Sequence, residues 1–423
     1  MNSDSKTREE RGNGTTGGVA PAAPAFQFSR NNFDLIRLFA ATQVLLSHGS
    51  YYLAHHHIEF TWFLAGGFYF WPIYYLKDFP GVPIFFVISG FLISASYERS
   101  QNLPEYFRNR FLRIYPALWV CLAFSVAVVL AFRVPFTLAQ LAKWLLAQTT
   151  IVQFYNPAFL RDFGIGSADG GTAGMGALNG SLWTIPVELQ FYICFPLLFL
   201  LLAKILRKKP EGAAALGAFL VFLGIAAWVH LNGAAPLLHA LHATTGIGLR
   251  ELGFLLNETV LPHFYLFLFG WVLQKNFHRL RPFFVDKGFV WLGAYIGFLM
   301  FTGWVLNIHR PTETWRIHTP FGTLPVELFS RLFLGCVTIS CAYTLAGAAR
   351  RILRGTDISY GVYIYHMVLI NVFVMFGWHG HNFAWTLPLL AATYAIAWLS
   401  WRFVEKPALA HKHRTIKNAK TTA

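Results

Sequence analysis

The chain of 423 residues is 55% hydrophobic and 13% charged, with 42 Phe and a mean hydropathy of +0.46. That composition excludes an ordinary soluble enzyme and predicts an all-α polytopic membrane bundle. A formal net charge of +15 calls for no nucleic-acid partner, because the distribution of the basic residues along the chain accounts for it. Cys121, Cys194, Cys336 and Cys341 lie inside apolar runs without a Cys-x-x-Cys pair, so they are small core residues, with neither a disulfide framework nor a zinc site implied.

Residues 1–30 are polar and rich in Gly, Ala and Pro, without the apolar core of a signal peptide, and read as a disordered tail. Ten apolar segments of about spanning length follow: 33–53, 79–97, 114–132, 182–202, 213–231, 260–275, 288–307, 328–348, 358–378 and 383–403, of which 260–275 is short. The stretch 136–155 has apolar residues at helical spacing broken by Gln and Lys, and is expected to be an amphipathic helix on the membrane surface. With ten spans and a cytoplasmic N-terminus, 25 Lys and Arg fall on the cytoplasmic side and seven on the other. The positive-inside rule expects this excess, so both termini, including a basic tail at 408–423, are expected in the cytoplasm.

The first span, FDLIRLFAATQVLLSH, carries Asp34, Arg37 and His48. Arg37 and His48 are eleven residues apart, which places them on one helix face at two depths, roughly 16 Å from each other. A charge in hydrocarbon costs at least about 2.5 kcal/mol, so this face must meet protein or a water-filled cavity. Asp34, three residues before Arg37, can pair with it. After the second span, Arg110 and Arg113 face the same way on a helical turn and can grip phosphate or simply anchor the inner face. Glu188, early in the fourth span, is either the partner of a buried cation or a carboxyl tuned for acid–base work. Glu327 and Arg331 are four apart and can neutralise each other, and His366 stands among Tyr residues in SYGVYIYH as a secondary candidate. His55-His56-His57 lacks a nearby ligand set, so no metal is expected. The Gly-rich stretch 163–180 lacks the Gly-Lys-Ser/Thr ending of a phosphate loop. The aromatic segment 60–75 can stack on sugars or sit at the membrane interface.

These stretches, in order, resemble the acyltransferase 3 family of integral-membrane O-acyltransferases. The likeness is carried by the Arg37-to-His48 spacing, FFVISGFLI, the Arg110-x-x-Arg113 pair, NGSLWTIPVELQFYICFP, SYGVYIYH and RFVEKP, and it covers about residues 31 to 407. It implies a ten-helix acyltransferase domain in the bacterial cytoplasmic membrane. Such a domain takes an acyl group, commonly acetyl, from cytoplasmic acyl-CoA and passes it to a hydroxyl, often of a glycan or glycolipid, at the other face. It also implies that Arg37 and His48 are the essential pair, that Arg110 and Arg113 serve the donor, and that acyl-CoA is a substrate with no permanently bound cofactor. Many relatives carry an extracytoplasmic esterase-like domain after the last helix. The sequence here ends 16 residues after RFVEKP, so direct transfer or a separate acyl-accepting protein is expected to complete the reaction.

On this reading the arginines hold the CoA phosphates and His48 takes the proton of the acceptor hydroxyl. Arg37 orients the donor or stabilises developing charge, and Glu188 either holds His48 or binds the acceptor. The competing expectation is a secondary transporter using Asp34, Arg37 and His48 as a relay. The sequence shows no internal repeat or matched pair of broken helices to favour it.

Overall fold

The computed structural model describes residues 30–53, 76–100, 102–150, 157–160, 163–164, 178–306, 308, 323–379 and 385–411. The expectations for most of both tails, His55 to His57, segment 60–75, most of the Gly-rich stretch and the end of the amphipathic stretch lie outside these residues.

A chain crossing lipid has no water to satisfy its peptide groups, so each long apolar run closes its own hydrogen bonds as a helix. All ten expected segments are helical: α1 (Phe33–Leu53), α2 (Gly81–Arg99), α3 (Leu103–Ala131), α5 (Thr184–Leu206), α6 (Gly212–His230), α9 (Phe264–Lys275), α11 (Gly288–Trp304), α12 (Leu324–Ala342), α14 (Ser359–Met375) and α15 (Thr386–Ser400). Short helices α4 (Leu138–Gln148), α7 (Ala235–Thr245), α8 (Leu249–Asn257), α10 (Phe277–Phe284) and α13 (Ala348–Leu353) join them. No β-strand occurs among the described residues. Six of these helices are long and apolar enough to cross a membrane, or seven if α10 and α11, bent by 77°, form one span. The difference from ten has local causes. α9 has only 12 residues, α14 has 17, and α1 is diluted by the polar residues that make it interesting.

The amphipathic stretch forms α4, opened by a capping box in which Thr137 and Gln140 each bond the other's backbone. This satisfies two of the donors that every helix start leaves free. Its Trp144 is buried while Leu138 and Leu146 stay exposed, as expected of a helix lying at an apolar interface. α3 starts in the same way, with Asn102 Oδ1 accepting from Glu105 N at 2.8 Å.

Small residues bring the central helices into backbone contact. A Cβ on Gly90 of α2 would lie 1.8 Å from the Phe267 carbonyl oxygen of α9, and one on Gly270 of α9 would lie 2.3 Å from the Val87 carbonyl oxygen. The two helices therefore interlock through reciprocal glycines, the device membrane helices use where burial from water offers no driving force. Side-chain amides fix α1 against its neighbours. Asn32 donates to Thr344 O at 2.7 Å and accepts from Ala349 N at 2.9 Å, while Gln43 Oε1 accepts from Gly81 N at 2.8 Å. The second contact starts α2 part-way up α1, since Gly81 also abuts Ala40. At the far end of the chain, α15 continues into a π turn, Trp401–Glu405. Glu405 is buried there and accepts from Ser400 Oγ at 3.4 Å.

Gly90→Ala should destabilise the protein by about 1–3 kcal/mol, because its methyl meets backbone and not a movable side chain. Gly217→Ala in α6, where an added Cβ meets nothing within 4 Å, should be neutral or stabilising by up to about 1 kcal/mol. Melting temperatures of the detergent-solubilised variants measure both effects, and equal values for the two would contradict the interlock.

Candidate active site

α1, α2, α3, α5 and α14 enclose a cavity of about 100 Å³. The α2 wall consists of Val82, Phe85, Phe86, Ser89, Leu92 and Ile93, which recur every three or four residues and so form one helix face. Four of the residues singled out in the sequence reach this cavity: Arg37, Arg110, Arg113 and Glu188.

The three arginines differ in what neutralises them. Arg37 pairs with Asp34 at 3.2 Å, and Arg113 pairs with Asp357 at 2.7 Å. Burial works against ionising Asp357, but Arg113 and then Arg37 beside it outweigh that and hold its carboxyl down to about 2. It is therefore an anion at any physiological pH. Ser359 ties down its other oxygen through both N–H and Oγ. Arg110 is different. It donates to Ser96 Oγ at 3.0 Å and lies over the rings of Tyr106 and Tyr192 at 5.8 and 5.7 Å. Among the described residues no carboxylate pairs with it, and its Nε, although buried, has no acceptor. Glu188, which lines the same cavity, accepts a hydrogen bond from the Tyr192 hydroxyl one turn on.

His48 lies outside the cavity lining, and its partner is His366, not Glu188. The rings stack at 5.2 Å, with His48 Nδ1 and His366 Nε2 2.9 Å apart. The remaining contact of His366 assigns the protons: its Nδ1 faces the Val362 carbonyl at 3.2 Å, and a carbonyl only accepts. His366 Nδ1 therefore carries hydrogen and its Nε2 accepts from His48 Nδ1–H. This leaves the lone pair of His48 Nε2 available. His48 keeps partial exposure while His366 is fully buried.

Between the histidines and the arginines stands Tyr363. Its ring meets His366 at 6.0 Å on one side and Phe85 at 5.7 Å on the other. Its hydroxyl donates to Ser181 O at 3.0 Å and accepts from Thr184 Oγ1 at 2.8 Å. The other secondary candidates lie elsewhere. Arg331 directs one nitrogen to His230 Nε2 and Tyr265 Oη, each at 3.4 Å, and Glu327 is buried one turn earlier on α12. Neither lines the cavity.

Sequence reasoning missed Asp357, Tyr192 and Tyr363. Asp357 had a visible signal: it is the one acid in RRILRGTD, a segment otherwise basic, immediately before SYGVYIYH. Tyr192 follows Glu188 by four residues, the spacing of one helical turn.

The family described as an acyltransferase domain, acyltransferase 3, matches residues 30–402. Nodulation protein 10 of Rhizobium leguminosarum is 32% identical over 395 residues, covering 90% of this chain and 93% of that protein. The peptidoglycan O-acetyltransferase OatA of Listeria monocytogenes is 26% identical over 380 residues, covering 83% of this chain and 53% of that protein. The putative peptidoglycan O-acetyltransferase YrhL of Bacillus subtilis is 24% identical, covering 88% and 54%. The chain thus spans nearly the whole of the nodulation protein and about half the length of these two O-acetyltransferases. No solved structure matches it. With a match from end to end of its helical bundle, the chain belongs to the acyltransferase 3 family and is a multi-pass membrane acyltransferase.

Proposed function

We propose that the protein moves an acetyl group from cytoplasmic acetyl-CoA to a hydroxyl of a cell-surface glycan or glycolipid at the other face of the bacterial cytoplasmic membrane. The observation that carries this reading is the His48–His366 pair, which leaves one imidazole nitrogen basic, set beyond a cavity with an unneutralised arginine. The names of the peptidoglycan O-acetyltransferase relatives support both the acetyl group and the glycan acceptor.

In the proposed reaction Arg110 binds a donor phosphate, since its charge has no carboxylate partner to give up first. Arg113, held by Asp357, and Arg37, held by Asp34, shape the passage and present N–H groups to the thioester arm. The acceptor hydroxyl gives its proton to His48 Nε2 as its oxygen attacks the thioester carbonyl carbon. The carbon–sulfur bond breaks, and CoA leaves as thiolate and takes up that proton. His366 keeps His48 in the Nδ1–H tautomer throughout and so acts as a positioning residue. The acceptor is a substrate carrying a free hydroxyl, and a separate extracytoplasmic acyl-accepting protein is compatible with the same step.

General-base help is worth typically about 10²–10⁴-fold, so His48→Ala should lose at least that much glycan-dependent release of CoA thiol from acetyl-CoA by the purified protein in lipid. Near-normal release would remove His48 from the reaction. Arg110→Ala should raise KM for acetyl-CoA by about tenfold or more, the loss of one charge-assisted contact of roughly 1.5–3 kcal/mol. Asp357→Asn should act mainly on stability. Breaking a largely buried ion pair costs up to about 3–5 kcal/mol, and the partial exposure of both partners reduces this to about 1–3 kcal/mol. A melting curve at pH 7 reads that loss directly.

A further inference from the structure

We propose that the closed end of the cavity holds the acyl group and that Phe85 sets how long that group can be. The inference rests on the acyl-CoA donor reading above and adds to it a residue that selects among donors.

The cavity is polar at one end and apolar at the other. At one end Arg110, Arg113 and Glu188 are partly exposed, and at the other Val82, Phe86, Thr184 and Ile185 are buried. The passage is therefore open at the arginines and blind beyond them. From Ile93 to Val82 the lining face of α2 rises eleven residues, about 16 Å. A donor whose phosphates rest at Arg110 would thus carry its thioester arm along α2 and end with the acyl group at the blind end. This is also the end nearest the His48–His366 pair, with only Tyr363 between.

The blind end has little room to yield. The Phe86 ring is fixed edge-on against Phe191 at 5.0 Å and faces His263 at 5.5 Å. Tyr363, edge-on to Phe85, is held by hydrogen bonds to Ser181 and Thr184. Packed aromatic rings do not make space for added methylenes without strain. Phe85 differs from Phe86 in being half-buried. Its truncation lengthens the pocket without removing an anchor of the core. A hydrophobic pocket of fixed length separates substrates one methylene apart by roughly 10–200-fold, which gives the inference a measurable size.

The test compares kcat/KM for acetyl-, propionyl-, butyryl- and hexanoyl-CoA, read as CoA thiol release in lipid with a crude envelope glycan extract as acceptor. Wild type should favour acetyl. Phe85→Ala should raise the butyryl-to-acetyl ratio at least tenfold, Phe85→Leu should shift it less, and Phe85→Trp should depress propionyl below wild type. A purely structural role would lower every chain length alike and leave the ratios unmoved, so ratios within twofold of wild type in the folded variants would overturn the proposal. A wild type already indifferent to chain length would overturn it too, while leaving the donor reading in place. Failure of wild type to release CoA from, or to bind, any of the four donors would overturn the donor reading and this proposal together.

Discussion

A charge enclosed by a membrane bundle must meet an opposite charge, a polar network or a ligand, because the surroundings cannot solvate it. That constraint arranges the open end of the cavity. Arg37 and Arg113 come from different helices, and Asp357, just ahead of a third, feels both. Lys275 and Glu98 close a further pair at 2.6 Å between α9 and α2. Once these acids are assigned, Arg110 remains with a hydroxyl and two aromatic faces. Such an environment keeps a guanidinium in place without neutralising it. The site is thus defined as much by which cations have been satisfied as by which have not.

The second consequence concerns registry. α1 and α14 both begin at the arginine end and are associated at two levels, near Arg37 and Asp357 and again at His48 and His366. Eleven residues separate the two levels on α1 and nine on α14. Each helix is a stiff rod over that length, so the relation between the charged passage and the imidazole pair is fixed by helix geometry and not by loops. Asn32 and Gln43 reinforce this by tying α1 to α12, α13 and α2 through its own side chains.

Much of this was legible in the sequence, and what was not shares one cause. Helix positions follow from local hydrophobicity, and the common face of Arg37 and His48 follows from a period within one helix. The Asp34–Arg37 bond, at i and i+3, is local in the same sense. The His48–His366 contact spans 318 positions, and no period in either helix signals it. His366 therefore stood only as a secondary candidate, while Glu188 was considered as the support for His48. Arg331 shows the converse: its spacing from Glu327 suggested a local pair, and the fold also turns it toward His230 and Tyr265 from other helices. Among the ten apolar segments, those diluted or shortened by such polar duties are the ones whose spanning length is hardest to judge from hydropathy alone.

The π turn at Trp401–Glu405 has an evolutionary reading. A π turn holds one residue more than the α-helical turn it replaces, and such turns arise naturally from a single-residue insertion into a helix. Deleting one residue between 401 and 405 would restore the regular helix and rotate everything after it by about 100°. Glu405, now buried beside Ser400, would swing away from the interior, and the apolar stripe of the terminal turn would leave its seat. Length at this point is therefore under tighter constraint than residue identity, and substitutions should be tolerated in this turn where a deletion is not.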